Sequence, residues 1–179
     1  MDAPPDRALI LLVRRGETNA YGSLVERYQQ SVFGVCYHIL QNREDAEDLA
    51  QDSFIRAFQR LDQYDLDREF GPWIRRLAAN LSINELKRRK QLFPLDEELD
   101  APPLATALTP EGALDQRERA VRIQQALGGL PPIQRAAIEL RHFQNMDYQE
   151  IADTLGIPLN TARSHLFRAR KILATVLRD

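Results

Sequence analysis

The stretch that most narrows the choice of fold runs from Asp147 to Lys171. Asp147 and Glu150 have the spacing of a capping box, Gly156 supplies the left-handed residue that ends a helix, and Pro158 and Asn160 open the next one. Helix, tight turn and second helix follow. Ile151, Ala152, Leu155, Ile157, Ala162 and Leu166 are placed to pack the two helices together. Asn160, Arg163, Ser164, Phe167, Arg168 and Lys171 are left on the opposite face of the second helix, a set able to meet phosphates and base edges in a major groove.

Elsewhere apolar residues recur at three- and four-residue steps, the period of an amphipathic helix, and no segment alternates with period two. A short helix is expected around Asp6 to Arg15. Asn19 to Leu40 places Tyr21, Leu24, Val25, Tyr28, Val32, Val35, Cys36 and Ile39 on one face. Asp45 to Leu61 does so with Leu49, Phe54, Ile55 and Phe58, its acids crowding the first turns where the helix dipole favours them. Phe70 to Lys90 uses Ile74, Leu77, Ala78, Leu81 and Leu86. The pattern stops over residues 92–112, where Pro94, Pro102, Pro103 and Pro110 sit among acids and alanines, the composition of a linker. It resumes from Ala113 and continues through Ile133 to Phe143, Tyr148 to Leu155 and Leu159 to Leu177. The expected architecture is all-α: a helical domain over 1–91, a flexible Pro-rich acidic linker over 92–112 and a helix-turn-helix domain over 113–179.

The 179 residues carry 24 basic and 26 acidic side chains, yet the near balance hides opposed patches. Residues 68–90 hold seven bases against two acids, and residues 41–67 hold three bases against eight acids. Such segregation suits a chain that meets both a polyanion and a basic partner. The single Cys36 excludes an internal disulfide framework and, on an apolar helix face, reads as a small buried hydrophobe. Ala8 to Val13 is too short for a signal-peptide core, and no run approaches the roughly 20 apolar residues of a membrane span. A cytoplasmic protein is expected. Glu139-Leu-Arg-His142 has the spacing of half a di-iron motif, but a bundle site needs two such motifs with further carboxylates, so no metal is expected. No nucleophile–base set or phosphate loop stands near the acids of 44–52, and neither catalysis nor a cofactor is expected.

Within the basic segment, Arg76, Asn80, Asn84, Lys87 and Arg88 fall at helical steps and share one polar stripe. Amides set among cations can read exposed bases while holding a backbone. A helix ending in Lys and Arg also complements its own dipole, so the stripe alone decides nothing.

Three motifs in order resemble one family. Asp45-Ala-Glu-Asp-Leu-Ala-Gln-Asp-Ser-Phe-Ile-Arg-Ala-Phe, then Phe70 to Trp73 with Leu77-Ala-Ala-Asn80, then the helix-turn-helix ending His165-Leu-Phe-Arg-Ala-Arg-Lys are similar to the extracytoplasmic-function sigma factors of bacterial RNA polymerase. The resemblance implies a specificity subunit that joins core polymerase, recognises the minus-ten and minus-thirty-five promoter elements and helps open the duplex. It implies docking of Asp45, Asp48, Gln51, Asp52 and Phe54 on the clamp coiled coil of the largest subunit, a contact with the polymerase flap, and an anti-sigma protein as a further partner. The stripe Arg76, Asn80, Asn84, Lys87 and Arg88 would read the minus-ten strand, with a flipped base held in a pocket of the first domain. Asn80 matches the family's asparagine, whereas Asn84 stands where an aspartate is frequent. Asn160, Thr161, Arg163, Ser164, Arg168 and Lys171 would enter the minus-thirty-five major groove. Trp73, on the apolar side with Leu77, reads as a core anchor more than a base wedge. The rival is a conventional helix-turn-helix regulator, which would bind duplex DNA without polymerase and needs neither the acidic helix nor the basic asparagine helix.

Overall fold

The computed structural model describes residues 4–93 and 116–176, and every regular element among them is helical. Residues 94–115, which hold nearly all of the expected linker, lie outside the described residues. The chain packs as two units that divide between Ser82 and Ile83, within a helix.

In the first unit, α1 (Asp6–Arg14) and α3 (Arg43–Gln59) both pack on α2 (Ala20–Leu40). α4 (Phe70–Arg88) then begins by burying Phe70 and Ile74. Leu9, Ile10, Leu24, Val32, Ile39, Ala46 and Leu61 join them in the core, and Cys36 is fully buried. α3 starts two residues before the acid-rich run predicts, because the Asn42 side chain accepts from the Asp45 N–H and caps the helix. Its buried face is also not the expected one. Ala46, Ala50, Ser53, Phe54 and Ala57 face the core, whereas Ile55 and Phe58 are 56% and 41% exposed. Small residues let α3 lie close against α2, and the larger side chains one step round the helix are turned to solvent.

A 3-10 turn (Leu61–Gln63) ends the α3 region. The Arg14 guanidinium fixes it by donating to the Leu61 carbonyl at 2.8 and 3.0 Å and to the Tyr64 carbonyl. At the α4 entrance a Cβ on Gly71 would come within 2.8 Å of the Tyr28 ring, so only glycine allows this approach. Tyr28 donates to Asp6 at 2.5 Å, and burial together with that bond pushes its phenol up to about 12.

The second unit is built from α5 (Gln116–Gly128), α6 (Pro132–Ile138), α7 (Tyr148–Leu155) and α8 (Leu159–Val176). The uninterrupted helix expected through Phe143 instead widens into a π-helical turn, Glu139–Phe143. There the Gln144 N–H reaches back to the Glu139 carbonyl at 3.1 Å while the Gln144 side chain donates to the Glu139 carboxylate at 2.8 Å. The wider turn keeps Glu139 fully buried beside Leu140 with an acceptor satisfied.

Candidate nucleic-acid interface

The helix-turn-helix forms through its caps. Asp147 and Glu150 make both bonds of the capping box, at 2.8 and 2.9 Å, and Gly156 closes α7 at φ +72°. Ile151, Ala152, Leu155, Ala162 and Leu166 are buried between the helices, with Ile157 half-buried at the turn.

Burial of Ala162, Leu166 and Ala169 turns the opposite side of α8 outward. Asn160, Ser164, Arg168 and Lys171 are exposed there, and Thr161 is half-buried. Ser164 donates to the Asn160 carbonyl at 3.0 Å. Among the described residues the side chains of Arg168 and Lys171 have no hydrogen-bond or ion-pair partner. Arg163 lies at the edge of this face, its guanidinium 5.9 Å from the centre of the Tyr148 ring, with Arg141 at 5.1 Å. Arg170 reaches the Tyr148 hydroxyl at 3.5 Å, and that contact lowers the phenol below its ordinary value. Three arginines thus gather round one tyrosine at the start of α7. The sequence assigned only Arg163 of these, and spacing along α8 could not show that Tyr148 collects the others.

The α4 stripe has a different character. Arg76 and Asn84 are exposed, and Asn80 is half-buried with an amide Oδ1 that is shut from solvent and accepts no hydrogen bond among the described residues. Arg88 makes a two-pronged contact with Glu85 at 2.6 and 2.9 Å, and Arg89 adds a third bond at 2.5 Å. The Arg88 contact, reinforced by Arg89, holds the Glu85 carboxyl down at about 2. Lys87 donates to the Thr154 carbonyl at the end of α7 at 2.8 Å. Trp73 is half-buried against Tyr64 and Phe70, with ring centres 4.7 and 5.5 Å away. It walls a cleft of about 320 Å³ with Arg60, Gln63, Tyr64, Asp65 and Arg68.

On α3, Asp48, Gln51 and Asp52 are exposed and Asp45 is half-buried. Phe54 is only 7% exposed and belongs to the core, where its carbonyl accepts from the Tyr21 hydroxyl at 2.6 Å. It still reaches a cleft of about 490 Å³ between α2 and α3, lined also by Val25, Phe33, Glu47, Ala50 and Gln51. Ile55 and Phe58 are the apolar groups that the acidic face actually presents. A periodicity that equates apolar with buried passes over them.

Residues 24–91 match the model of Sigma-70 region 2, and residues 120–173 match that of Sigma-70 region 4. The chain is 33% identical to the ECF RNA polymerase sigma factor SigW of Bacillus subtilis over 93% of its own length and 94% of that protein's. It belongs to the extracytoplasmic-function sigma factors. It is also 31% identical to the RNA polymerase sigma-H factor of Pseudomonas aeruginosa, over 96% of this chain and 93% of that one. Among solved structures, CnrH in complex with the cytosolic domain of CnrY is similar at a TM-score of 0.56 and 26% identity, over 97% of both chains. The sigma factor RpoE of Bartonella quintana, in complex with the anti-sigma factor NepR, shares the fold at a TM-score of 0.56 and 21% identity, over 88% of this chain and 96% of that one. A sigma factor of this family binds DNA, recognises promoters and initiates transcription, so the rival of a polymerase-independent regulator falls away. No helix among the described residues is long and apolar enough to cross a membrane.

Proposed function

We propose that this sigma factor divides its work among three helical faces. The exposed stripe of α8, Asn160, Ser164, Arg168 and Lys171 with Thr161 and Arg163 beside it, enters the major groove of the minus-thirty-five element. The stripe of α4, Arg76, Asn80, Asn84, Lys87 and Arg88, holds the non-template strand of the minus-ten element, and a flipped base enters the cleft walled by Trp73 and Tyr64. The acidic face of α3, Asp45, Asp48, Gln51 and Asp52 with Ile55 and Phe58, docks on the clamp coiled coil of core polymerase. Phe54 shapes the adjoining cleft from within. The flap is a second polymerase contact, and the chain works in the cytoplasm without catalysis of its own.

The observation that carries this reading is that Arg168 and Lys171 stand exposed on α8 with no hydrogen-bond or ion-pair partner among the described residues. Cations held apart from internal carboxylates are ready to replace the counterions of a phosphate backbone. An anti-sigma protein is a further partner, a reading supported by the sigma factor RpoE of Bartonella quintana, solved with the anti-sigma factor NepR, and by CnrH, solved with the cytosolic domain of CnrY.

Transcription by core RNA polymerase, with and without this chain, on a library of genomic promoter fragments tests the reading. Initiation is expected from a discrete set of fragments sharing two spaced elements. Silence with core would overturn the assignment of faces.

A further inference from the structure

Tyr148 is the first residue of α7, and its hydroxyl lies open to solvent beside three guanidinium groups. Arg141 and Arg163 stand 5.1 and 5.9 Å from the ring centre, and Arg170 reaches the hydroxyl itself at 3.5 Å. Two of them are held there by further contacts: Arg141 donates to the Met146 carbonyl at 2.8 Å, and Arg170 donates to His142 Nε2 at 3.2 Å. None of the three has a carboxylate partner among the described residues, and the nearest acids along the chain, Asp147 and Glu150, are engaged in the capping box. Three positive charges around a neutral phenol repel one another, and an anion set among them relieves that repulsion. The Arg170 contact also makes the Tyr148 hydroxyl give up its proton more readily than an ordinary phenol.

We propose that Tyr148 is a phosphorylation site, at which a phosphoryl group occupies the cluster of Arg141, Arg163 and Arg170 and withdraws it from promoter DNA. The proposal rests on the reading of α8 as the groove-facing helix, because Arg163 belongs both to the cluster and to that face. A tyrosine kinase transfers the γ-phosphoryl group of a nucleoside triphosphate. The bond from Tyr148 Oη to phosphorus forms, the bond from phosphorus to the β–γ bridging oxygen breaks, the phenol proton passes to the base of the kinase, and the nucleoside diphosphate leaves. The group so attached carries a charge of about −1.5 to −2 and three acceptor oxygens, within reach of guanidinium forks that already surround the ring. Its bonds to Arg163 and Arg170 tie the start of α7 to α8 and stabilise the second unit. Its charge stands beside the groove face and repels the phosphates that Arg168 and Lys171 would meet.

The test compares two forms of the full chain, unmodified and carrying phosphotyrosine installed at position 148 by codon reassignment. Assembled with core RNA polymerase, the modified form should bind promoter DNA at least about tenfold more weakly, with a salt slope lower by roughly one because Arg163 no longer neutralises a phosphate. Phosphatase treatment should restore both. The free modified chain should unfold roughly 2–4 °C above the unmodified one. In an Arg141→Gln, Arg170→Gln background that gain should vanish, and in Arg170→Lys, which keeps the charge, part of it should remain. Modified and unmodified forms are compared within each background, so any instability from the substitutions themselves cancels. In chain recovered from the cells that make it, with phosphatases inhibited, mass spectrometry should find phosphate on Tyr148. Three results would overturn the proposal: equal promoter affinity of the two forms, a thermal gain that survives loss of both arginines, or a Tyr148 free of phosphate under every growth condition sampled. If Arg168→Ala, Lys171→Ala leaves the promoter affinity of the unmodified holoenzyme unchanged, the assignment of α8 to DNA fails instead, while the thermal comparison still reports on the arginine cluster.

Discussion

The two stripes proposed to meet DNA differ in what their cations do in the free chain. Along α8, Arg168 and Lys171 are exposed and unpaired among the described residues, whereas at the end of α4 Arg88 and Arg89 share Glu85 and Lys87 is bonded to the Thr154 carbonyl. Equal counts of basic residues therefore do not mean equal readiness. As the proposed groove face, α8 can meet a polyanion as it stands, since Arg168 and Lys171 have no partner among the described residues to give up. The α4 face must first exchange internal partners, which suits a surface that acts on a strand exposed only after the duplex has been engaged. Exposed ion pairs are worth at most about 1 kcal/mol, so the exchange is cheap, but it is an exchange.

Neutralising α8 should accordingly have the largest effect. The double variant Arg168→Ala, Lys171→Ala should lower the slope of log affinity against log salt by roughly two, about 0.9 for each phosphate that is no longer neutralised. Promoter affinity at low salt should fall on the order of tenfold or more, read by titrating holoenzyme on promoter DNA at several salt concentrations. An unchanged slope would show that these cations never reach phosphate.

The α4 prediction runs the other way. Glu85→Gln frees Arg88 and Arg89 from their shared carboxylate, so affinity for the single-stranded minus-ten element should rise by a few fold, which is all that about 1 kcal/mol allows. Arg88→Ala should cost more in the Glu85→Gln background than in the wild type. A double-mutant cycle on fluorescent single-stranded DNA reads this coupling. Additivity would mean that Glu85 does not restrain the cations.

How much of this could be read along the chain depended on how local each device is. The helix-turn-helix was legible because Asp147, Glu150 and Gly156 act within a few residues of one another, and the structure places their bonds where the spacing puts them. The all-α class was legible for the same reason. The buried face of α3 was not, since Ala46, Ala50 and Ala57 are chosen by the close approach of α2, which no single-helix pattern records. The π-turn at Glu139 depends on a buried carboxylate and a glutamine five residues on. The stripe residues of α4 follow one another at the expected helical steps, but the pairing of its cations with Glu85 and Thr154 is a matter of side-chain geometry and, for Thr154, of a residue 67 positions away.

Asn80 sharpens the contrast at a single atom. Its Oδ1 is buried without a donor among the described residues, a state that costs free energy and is tolerated where a partner arrives later. Asn80→Ala should leave thermal stability within about 1 kcal/mol of the wild type, or raise it, because an unsatisfied acceptor is removed. Promoter opening, followed by permanganate reactivity of unpaired thymines, should fall while binding of closed duplex is retained. A loss of stability together with unchanged opening would make Asn80 a structural residue.

The smallest expected effect is a pH dependence confined to the second unit. His142 stands on the rim of an apolar groove lined by Ile123, Leu127, Ile138, Phe143 and Leu173, with Arg170 donating to its Nε2 at 3.2 Å. Burial lowers its pKa below the ordinary 6.5, and the charges of Arg170 and Arg141 lower it further. The unfolded chain therefore takes up this proton at a higher pH than the folded one. Stability is full above about 6.5 and declines as pH falls below that value toward the folded pKa. His142→Gln should flatten this decline, seen as thermal midpoints of the second unit's transition that no longer drop between neutral and mildly acid buffer. The α4 pairs predict no such loss in that window, because Glu85 stays ionised down to about 2. Acid should thus weaken the arginine-rich surroundings of the recognition helix while leaving the Glu85 cluster intact.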